Sequence, residues 1–258
     1  MSASTGQGPS ALSYVLREDP ELAEAIAPAR RRRAIEECTA TEIHIPVGRG
    51  AGQAGTALHG GIGALVLDGL LIRRVGIGGR FGAELLGEGD LLRPWQQEWD
   101  SPMLPLETGW LVVEPARLAV LDHEFVQRFA RYPELAPAFV ARAMQRARNL
   151  AVNMAIVHQA RVDVRVRMLL WHLAGRWGRV RTEGTVLPLR LTHALLADLV
   201  AARRPTVTSA ISELSRRGLL RSSGDEWVLF GDPPRELLDV NGGVEAEASE
   251  PPYLASTS

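Results

Sequence analysis

Residues 191–220, LTHALLADLVAARRPTVTSAISELSRRGLL, contain two amphipathic helical patterns with almost nothing between them. From Thr192 to Val200, residues Leu195, Leu196 and Leu199 recur at the spacing of one helix face, and Thr192 stands where a hydroxyl can cap the first turn. The pattern stops at Ala201-Ala202-Arg203. It restarts near Arg204, with Pro205 in the first turn, where a missing N–H costs nothing. Val207, Ile211 and Leu214 form the second apolar face, while Arg204, Pro205, Thr208, Ser209 and Ser212 lie opposite. So short a joint predicts helices that cross steeply. Gly218 ends the second helix, and Leu219-Leu220-Arg221 and Trp227-Val228-Leu229 read as strands around an SSGDE turn. The stretch therefore predicts a helix-turn-helix followed by a β-hairpin wing.

The charge of the chain is distributed to match. Its formal net charge is −1, and every basic residue is arginine. Twelve arginines and six carboxylates fall between 161 and 231, so this segment carries a surplus of six positive charges and the remainder seven negative. A basic C-terminal module on an acidic body is the electrostatic footprint of a nucleic-acid reader, and arginine forks suit phosphate oxygens. The hydrophobic fraction is 46% and the charged fraction 23%, ordinary for a globular protein of 258 residues. Apolar runs such as Gly63–Leu67 are far short of the roughly 20 residues a membrane helix needs, and residues 1–12 lack a signal-peptide pattern. A cytoplasmic protein with no membrane partner is expected. Cys38, the one cysteine, permits no internal disulfide or cysteine-ligated cluster; a small packed thiol is favoured over a redox role.

Upstream, the periodicity changes twice. Residues 1–12 and 241–258 read as disordered tails, and residues 18–38 as one or two short helices, with Arg30–Arg33 on a solvated face. Between 41 and 122, alternation at Thr41–Val47, an Asp68-Gly69 turn between two apolar runs, and short strands at Ala83–Leu86, Gly109–Val113 and Arg117–Leu121 predict an antiparallel roll or barrel. Beyond Asp122 the chain turns helical. Phe139, Ala143, Ala147, Leu150, Met154 and Val157 make one apolar stripe, a candidate dimer seam; covering the sheet is the alternative. Asp163 is placed to cap the next helix, which ends at Gly178, and a short strand pair flanks Thr-Glu-Gly-Thr. The expected class is α+β: a β-roll over 13–133 with flanking helices, a long dimerisation helix over 134–160, and a winged helix-turn-helix over 161–235.

This order of parts resembles the Crp/Fnr family of bacterial transcription regulators, named for the cyclic-AMP receptor protein, over roughly residues 41–230. The likeness is most specific at Leu191-Thr192, Leu199-Val200, Arg204, Thr206-Val207 and Gly218-Leu219-Leu220, and at Arg165 with Leu173-Ala174 eight residues on. It implies a homodimer on a palindromic operator, with the second helix in the major groove and Arg204 on a guanine. The implied DNA-contacting set is Arg203, Arg204, Pro205, Thr206, Thr208, Ser209, Ser212 and Arg221, with Thr206 and Arg221 on phosphates. Pro205 and Ser209 replace an acidic residue and an arginine of the family pattern, so the operator should differ from that of the namesake. RNA polymerase is an implied partner, as is a ligand-driven movement through a hinge near 159–163.

The sensor half departs further. The family's cyclic-nucleotide cassette runs Gly-Asp-x-x-Gly-Glu-Leu and reaches an Arg-Ser pair; here Gly89-Asp90 is followed by Arg93-Pro94-Trp95. Pro94 replaces the ribose-binding carboxylate, no arginine occurs between Pro94 and Ala116, and Glu107 lies near where the phosphate-binding arginine should fall. A phosphate beside a carboxylate with no cation is disfavoured, so cyclic AMP and cyclic GMP are not expected effectors unless Arg93 substitutes from a new position. The degenerate pocket would be lined by Glu84, Gly89, Asp90, Arg93, Pro94, Trp95, Glu107 and Thr108. Trp95, Trp99 and Trp110 either fill the space a nucleotide would occupy or line an apolar pocket, and filling is favoured. Two alternatives to this reading are a regulator gated by another small molecule and an interaction module that kept the fold without binding DNA. A cupin-like metalloenzyme would need clustered histidines; only His44 and His59 fall among the strands, no cofactor is implied, and no catalytic motif is present, so an enzyme is not expected.

Overall fold

The computed structural model describes residues 11–49, 61–77, 80–92 and 107–238. The chain divides into two compact units, Met1–Ala155 and Ile156–Ser258. The class is α+β: an N-terminal antiparallel sheet with helices, then a C-terminal winged helix-turn-helix.

In the first unit, strands β1 (Ala11–Tyr14), β2 (Thr39–Ile45), β4 (Gly63–Ile77), β5 (Arg80–Leu86) and β7 (Glu107–Leu121) pair in the order β1-β2-β7-β4-β5. Two short strands, β3 (Gly48–Arg49) and β6 (Leu91–Leu92), pair with β7 and β4. The spine is the pair of 15-residue strands β4 and β7. Alternation along β4 sends Leu65 and Leu67 to one core and Ala64 and Val66 to another. The first core is closed by α1 (Val15–Glu18), α2 (Pro20–Glu24), α3 (Pro28–Glu37), α4 (His123–Phe129) and the start of α5 (Leu135–Val157). Cys38 is buried there, and burial pushes its thiol up to about 11, which leaves it unreactive.

Three local readings are corrected. Asp68-Gly69 is not a hairpin turn: β4 runs straight through it, paired to β7 with register shifts at Val66/Asp68, Asp68/Leu70 and Leu70/Leu71. Gly69 has φ +93 and a Cβ there would lie 2.3 Å from the Pro115 carbonyl oxygen, so the glycine serves a bulge at a bend of the sheet. The strands expected at 109–113 and 117–121 are one strand, β7, continuous through Pro115. Residues 11 and 12, read as tail, belong to β1, which pairs with β2; residues 1–10 and 241–258 lie outside the described residues.

The second unit contains α6 (Val162–Trp177), β8 (Arg179–Arg181), β9 (Gly184–Leu187), α7 (His193–Leu199), α8 (Arg204–Arg216), β10 (Leu220–Ser223), β11 (Glu226–Leu229) and the short α9 (Arg235–Leu238). Strand order β10-β11-β9-β8 joins the wing to the upstream hairpin in one sheet. Leu169 and Leu170 of α6, Leu196 and Leu199 of α7, and Val207 and Leu214 of α8 are all buried in this unit. Asp163 does not cap α6. Arg161 occupies the N-cap position, and Asp163, one residue into the helix, pairs with Arg161 at 2.7 Å.

Candidate nucleic-acid interface

Helix α7 starts as the sequence requires: the Thr192 hydroxyl accepts from the Leu195 N–H at 3.2 Å. It ends in a Schellman motif, with Ala202 N–H on the Ala197 carbonyl and Ala201 N–H on that of Asp198. Ala201 has φ +50, the left-handed conformation that turns the chain into α8. Arg165 braces this turn from α6, donating through Nη1 to the Val200 carbonyl at 3.3 Å and through Nε to that of Gln159 at 2.6 Å.

On α8, Val207 (0% exposed), Ile211 (6%) and Leu214 (2%) are buried, whereas Arg203, Arg204, Pro205, Thr206, Thr208, Ser209 and Ser212 are all exposed. Neither Arg203 nor Arg204 has an ion-pair partner among the described residues. Both stand at the first turn, where the unpaired N–H groups already make the potential positive. The three hydroxyls are held on the helix: Thr208 donates to the Arg204 carbonyl at 3.1 Å, Ser209 to that of Pro205 at 3.2 Å, and Ser212 to that of Thr208 at 3.0 Å. Helix α8 also closes in a Schellman motif, with Gly218 at φ +67 and Leu219 N–H on the Leu214 carbonyl at 3.0 Å. In the wing, Arg221 is exposed, pairs with Glu183 at 3.3 Å and lies over the Phe230 ring.

Of the residues expected around a vestigial effector pocket, Glu84, Gly89, Asp90, Glu107 and Thr108 are described. Gly89 (φ +81) and Asp90 build a turn: the Gly87 N–H donates to the Asp90 carboxylate at 2.8 Å, and the Gly89 N–H to the Val66 carbonyl at 2.8 Å. Glu84 is buried and ion-paired with Arg73 of β4 (2.5 Å) and Arg146 of α5 (2.6 Å). Glu107 is exposed on β7, and Thr108 follows it in the strand. Trp110, partly buried, packs on the core that holds Val66, Leu71 and Leu118. Arg93, Pro94, Trp95, Trp99 and His59 lie outside the described residues. Among the described residues no group of three or more His, Cys, Asp or Glu side chains is placed to hold a metal ion. No described helix is long and apolar enough to cross a membrane.

The stripe on α5 also differs from its expected composition. Phe139 is buried among Phe125 and Phe129 and cannot form part of an exposed seam. Ala143, Ala147 and Met154 are exposed, and Leu150 and Val157 half-buried. The exposed apolar line runs instead through Val140 (60%), Met144 (65%), Ala147, Ala151 and Met154 (62%), rotated by about one position, with the 4-3-4-3 spacing of a coiled-coil seam. The opposite face carries Arg142, Arg146 and Asn153, which reach Asp19, Glu84 and the Ala83 carbonyl. These polar residues escaped the sequence reading because only the apolar positions of the helix were followed.

Residues 164–235 match the Crp-like helix-turn-helix domain. No curated protein matches the sequence. Among solved structures, a cyclic nucleotide-binding domain containing protein from Listeria monocytogenes EGD-e superposes with a TM-score of 0.60 at 12% identity, over 81% of this chain and 96% of the other. A CooA mutant from Carboxydothermus hydrogenoformans gives 0.56 at 13% identity, over 92% and 97%. FixK2 from Bradyrhizobium japonicum gives 0.54 at 16% identity, over 74% and 93%. Residues 164–235 are thus a Crp-like helix-turn-helix domain, and the chain shares the fold of these solved structures.

Proposed function

We propose that this protein is a sequence-specific DNA-binding transcription regulator that acts as a homodimer and is not controlled by cyclic AMP or cyclic GMP. The observation that carries the reading is the outer face of α8, where two unpaired arginines at the positive end of the helix precede a row of small hydroxyl residues. Nothing bulky on that face obstructs entry into a major groove. Arg204 is placed to read a guanine, a contact worth about 1–3 kcal/mol against the wrong base. Thr206 and Arg221 would take phosphates. The exposed seam on α5 would pair two copies in parallel, so two α8 helices would address half-sites about one helical turn, ~34 Å, apart on an imperfect palindrome. RNA polymerase is the natural partner of a regulator of this build.

Against cyclic nucleotides stands the sequence of the cassette. Pro94 stands where the ribose-binding carboxylate should be, no arginine falls between Pro94 and Ala116, and Glu107 stands near the phosphate position. The test is selection of bound fragments from random DNA by purified protein, with and without cyclic AMP. A palindromic site enriched equally in both supports the reading. Enrichment only with cyclic AMP overturns the effector assignment, and enrichment in neither overturns unaided DNA binding.

A further inference from the structure

Within the first unit, one carboxylate is gripped from two elements. Glu84 on β5 lies directly opposite Arg73 on β4, a cross-strand pair on one face of the sheet. Arg146 then comes from α5 and closes on the same carboxylate with a two-point fork: Nη2 donates to Oε1 at 2.6 Å and Nε to Oε2 at 3.2 Å. Its remaining Nη1 donates to the Leu91 carbonyl, where the cassette turn enters β6, at 2.8 Å. All three side chains are withdrawn from water, with 6%, 8% and 14% of Arg73, Glu84 and Arg146 exposed. Burial pushes the Arg73 guanidinium down to about 10, so it stays charged at neutral pH.

The acceptors around Arg146 match a guanidinium and little else. A planar fork meets the two carboxylate oxygens, and a third N–H meets the carbonyl of Leu91, which β6 pairs to Leu65 of β4. An ammonium donates from a single atom and has no planar fork to span the two carboxylate oxygens in parallel while reaching the carbonyl. The sheet does not depend on Arg146 to neutralise the carboxylate, because Arg73 already pairs with Glu84 from within it. What Arg146 adds is the link between sheet and helix. Two turns further along the same face, the Asn153 amide donates to the Ala83 carbonyl at 3.1 Å, so α5 is pinned to adjacent residues of β5.

We propose that Glu84 and the Leu91 carbonyl form a guanidinium receptor that Arg146 fills from within the chain, a tethered effector that holds α5 on the roll with no diffusible ligand. Its consequence for DNA rests on the regulator reading above; the receptor itself does not. A helix fixed in this way would leave DNA affinity insensitive to added small molecules, since a ligand shifts an equilibrium only by its differential affinity for two states.

The experiment is chemical rescue. Arg146→Ala keeps Glu84 paired to Arg73, so the fold should survive. N-ethylguanidinium supplies the removed fork, with ethylammonium and sodium chloride at equal concentration as controls. The expected result is a lowered melting temperature and faster amide exchange in 80–86 and 140–153 of Arg146→Ala, both restored saturably by N-ethylguanidinium alone. DNA affinity should fall about tenfold, the ordinary scale of coupling between sites, and return with the same compound. Arg146→Lys should recover little, because the charge without the fork cannot reproduce the two-point contact together with the carbonyl. Equal recovery with ethylammonium or salt, or no recovery with N-ethylguanidinium, overturns the receptor. Rescue of stability without any change in DNA affinity overturns the tethered-effector role while the receptor stands. If wild-type protein binds no DNA yet N-ethylguanidinium still restores the melting temperature of Arg146→Ala, the regulator reading fails and the receptor stands.

Discussion

His193 and Thr208, fifteen residues apart in sequence, meet across the two helices of the motif, with His193 Nδ1 3.0 Å from the Thr208 hydroxyl oxygen. The same hydroxyl lies 3.1 Å from the Arg204 carbonyl, so Thr208 sits between the imidazole and the backbone of its own helix. The first residue of α7 thereby fixes a side chain on the exposed face of α8. Thr208→Val removes the hydroxyl from this exposed pair and leaves the buried face of α8 intact. The expected outcome is a loss of about 0.5–1.5 kcal/mol in operator affinity, the usual worth of one hydrogen bond, with an unchanged salt slope because no cation is removed. Fluorescence anisotropy titrations at several salt concentrations check both halves.

The second unit was readable because its signals are local. Thr192, Pro205 and Gly218 each mark a helix boundary by backbone chemistry, and Val207, Ile211 and Leu214 mark a face by period alone. The first unit was read less well because its decisive facts are long-range. Whether Asp68-Gly69 turns or bulges depends on Pro115 in another strand, and no window of sequence contains both. Arg146 looks like a solvated helix residue until Glu84, 62 residues earlier, is brought beneath it. Phe139 shows the same limit on one helix: it fits the apolar stripe by spacing, yet the ring belongs to the aromatic cluster of the core.

The two Schellman motifs of the helix-turn-helix differ in one respect. Helix α8 ends on Gly218, which adopts φ +67 without steric cost, whereas α7 ends on Ala201 at φ +50. A left-handed residue with a Cβ costs about 1–2 kcal/mol, and glycine offsets part of that gain through the greater freedom of its unfolded chain. Ala201→Gly is therefore expected to stabilise the second unit by about 0.5–1 kcal/mol. Gly218→Ala should destabilise it by a similar amount. Urea melts followed by tryptophan fluorescence, with Trp227 buried in this unit, measure both changes.

The exposed seam of α5 gives a prediction that separates assembly from folding. Met144, 65% exposed, lies in the middle of the Val140–Met154 line. Met144→Glu would set two like charges against each other in a parallel pair while burying nothing new in the single chain. Sedimentation should then report a monomer with an unaltered circular dichroism spectrum, and operator affinity should fall with it. Phe139→Ala is expected to do the reverse, costing about 3–5 kcal/mol of stability by emptying part of the aromatic core. Monomer formation by Phe139→Ala at full stability, or a stable dimer in Met144→Glu, would place the seam elsewhere.

Acid stability of the first unit should trace to Glu37. Its carboxylate accepts from Arg33 Nε at 2.7 Å and from the Tyr132 hydroxyl at 2.8 Å, tying the end of α3 to the segment that leads into α5. The Arg33 hydrogen bond first, then that of Tyr132, holds the group down to about 2. A carboxylate depressed by folding contributes its stability in full above its unfolded value, about 4.3, and loses it as pH falls toward the folded one. The wild-type melting temperature should therefore drop between about pH 4.5 and 2 through this group. Glu37→Gln keeps an acceptor oxygen but has no proton to gain, so it should be less stable at neutral pH and show a flatter decline in that window, with the two curves converging near the acid end. Parallel curves down to pH 2 would mean that the Arg33–Glu37–Tyr132 cluster carries no folding energy.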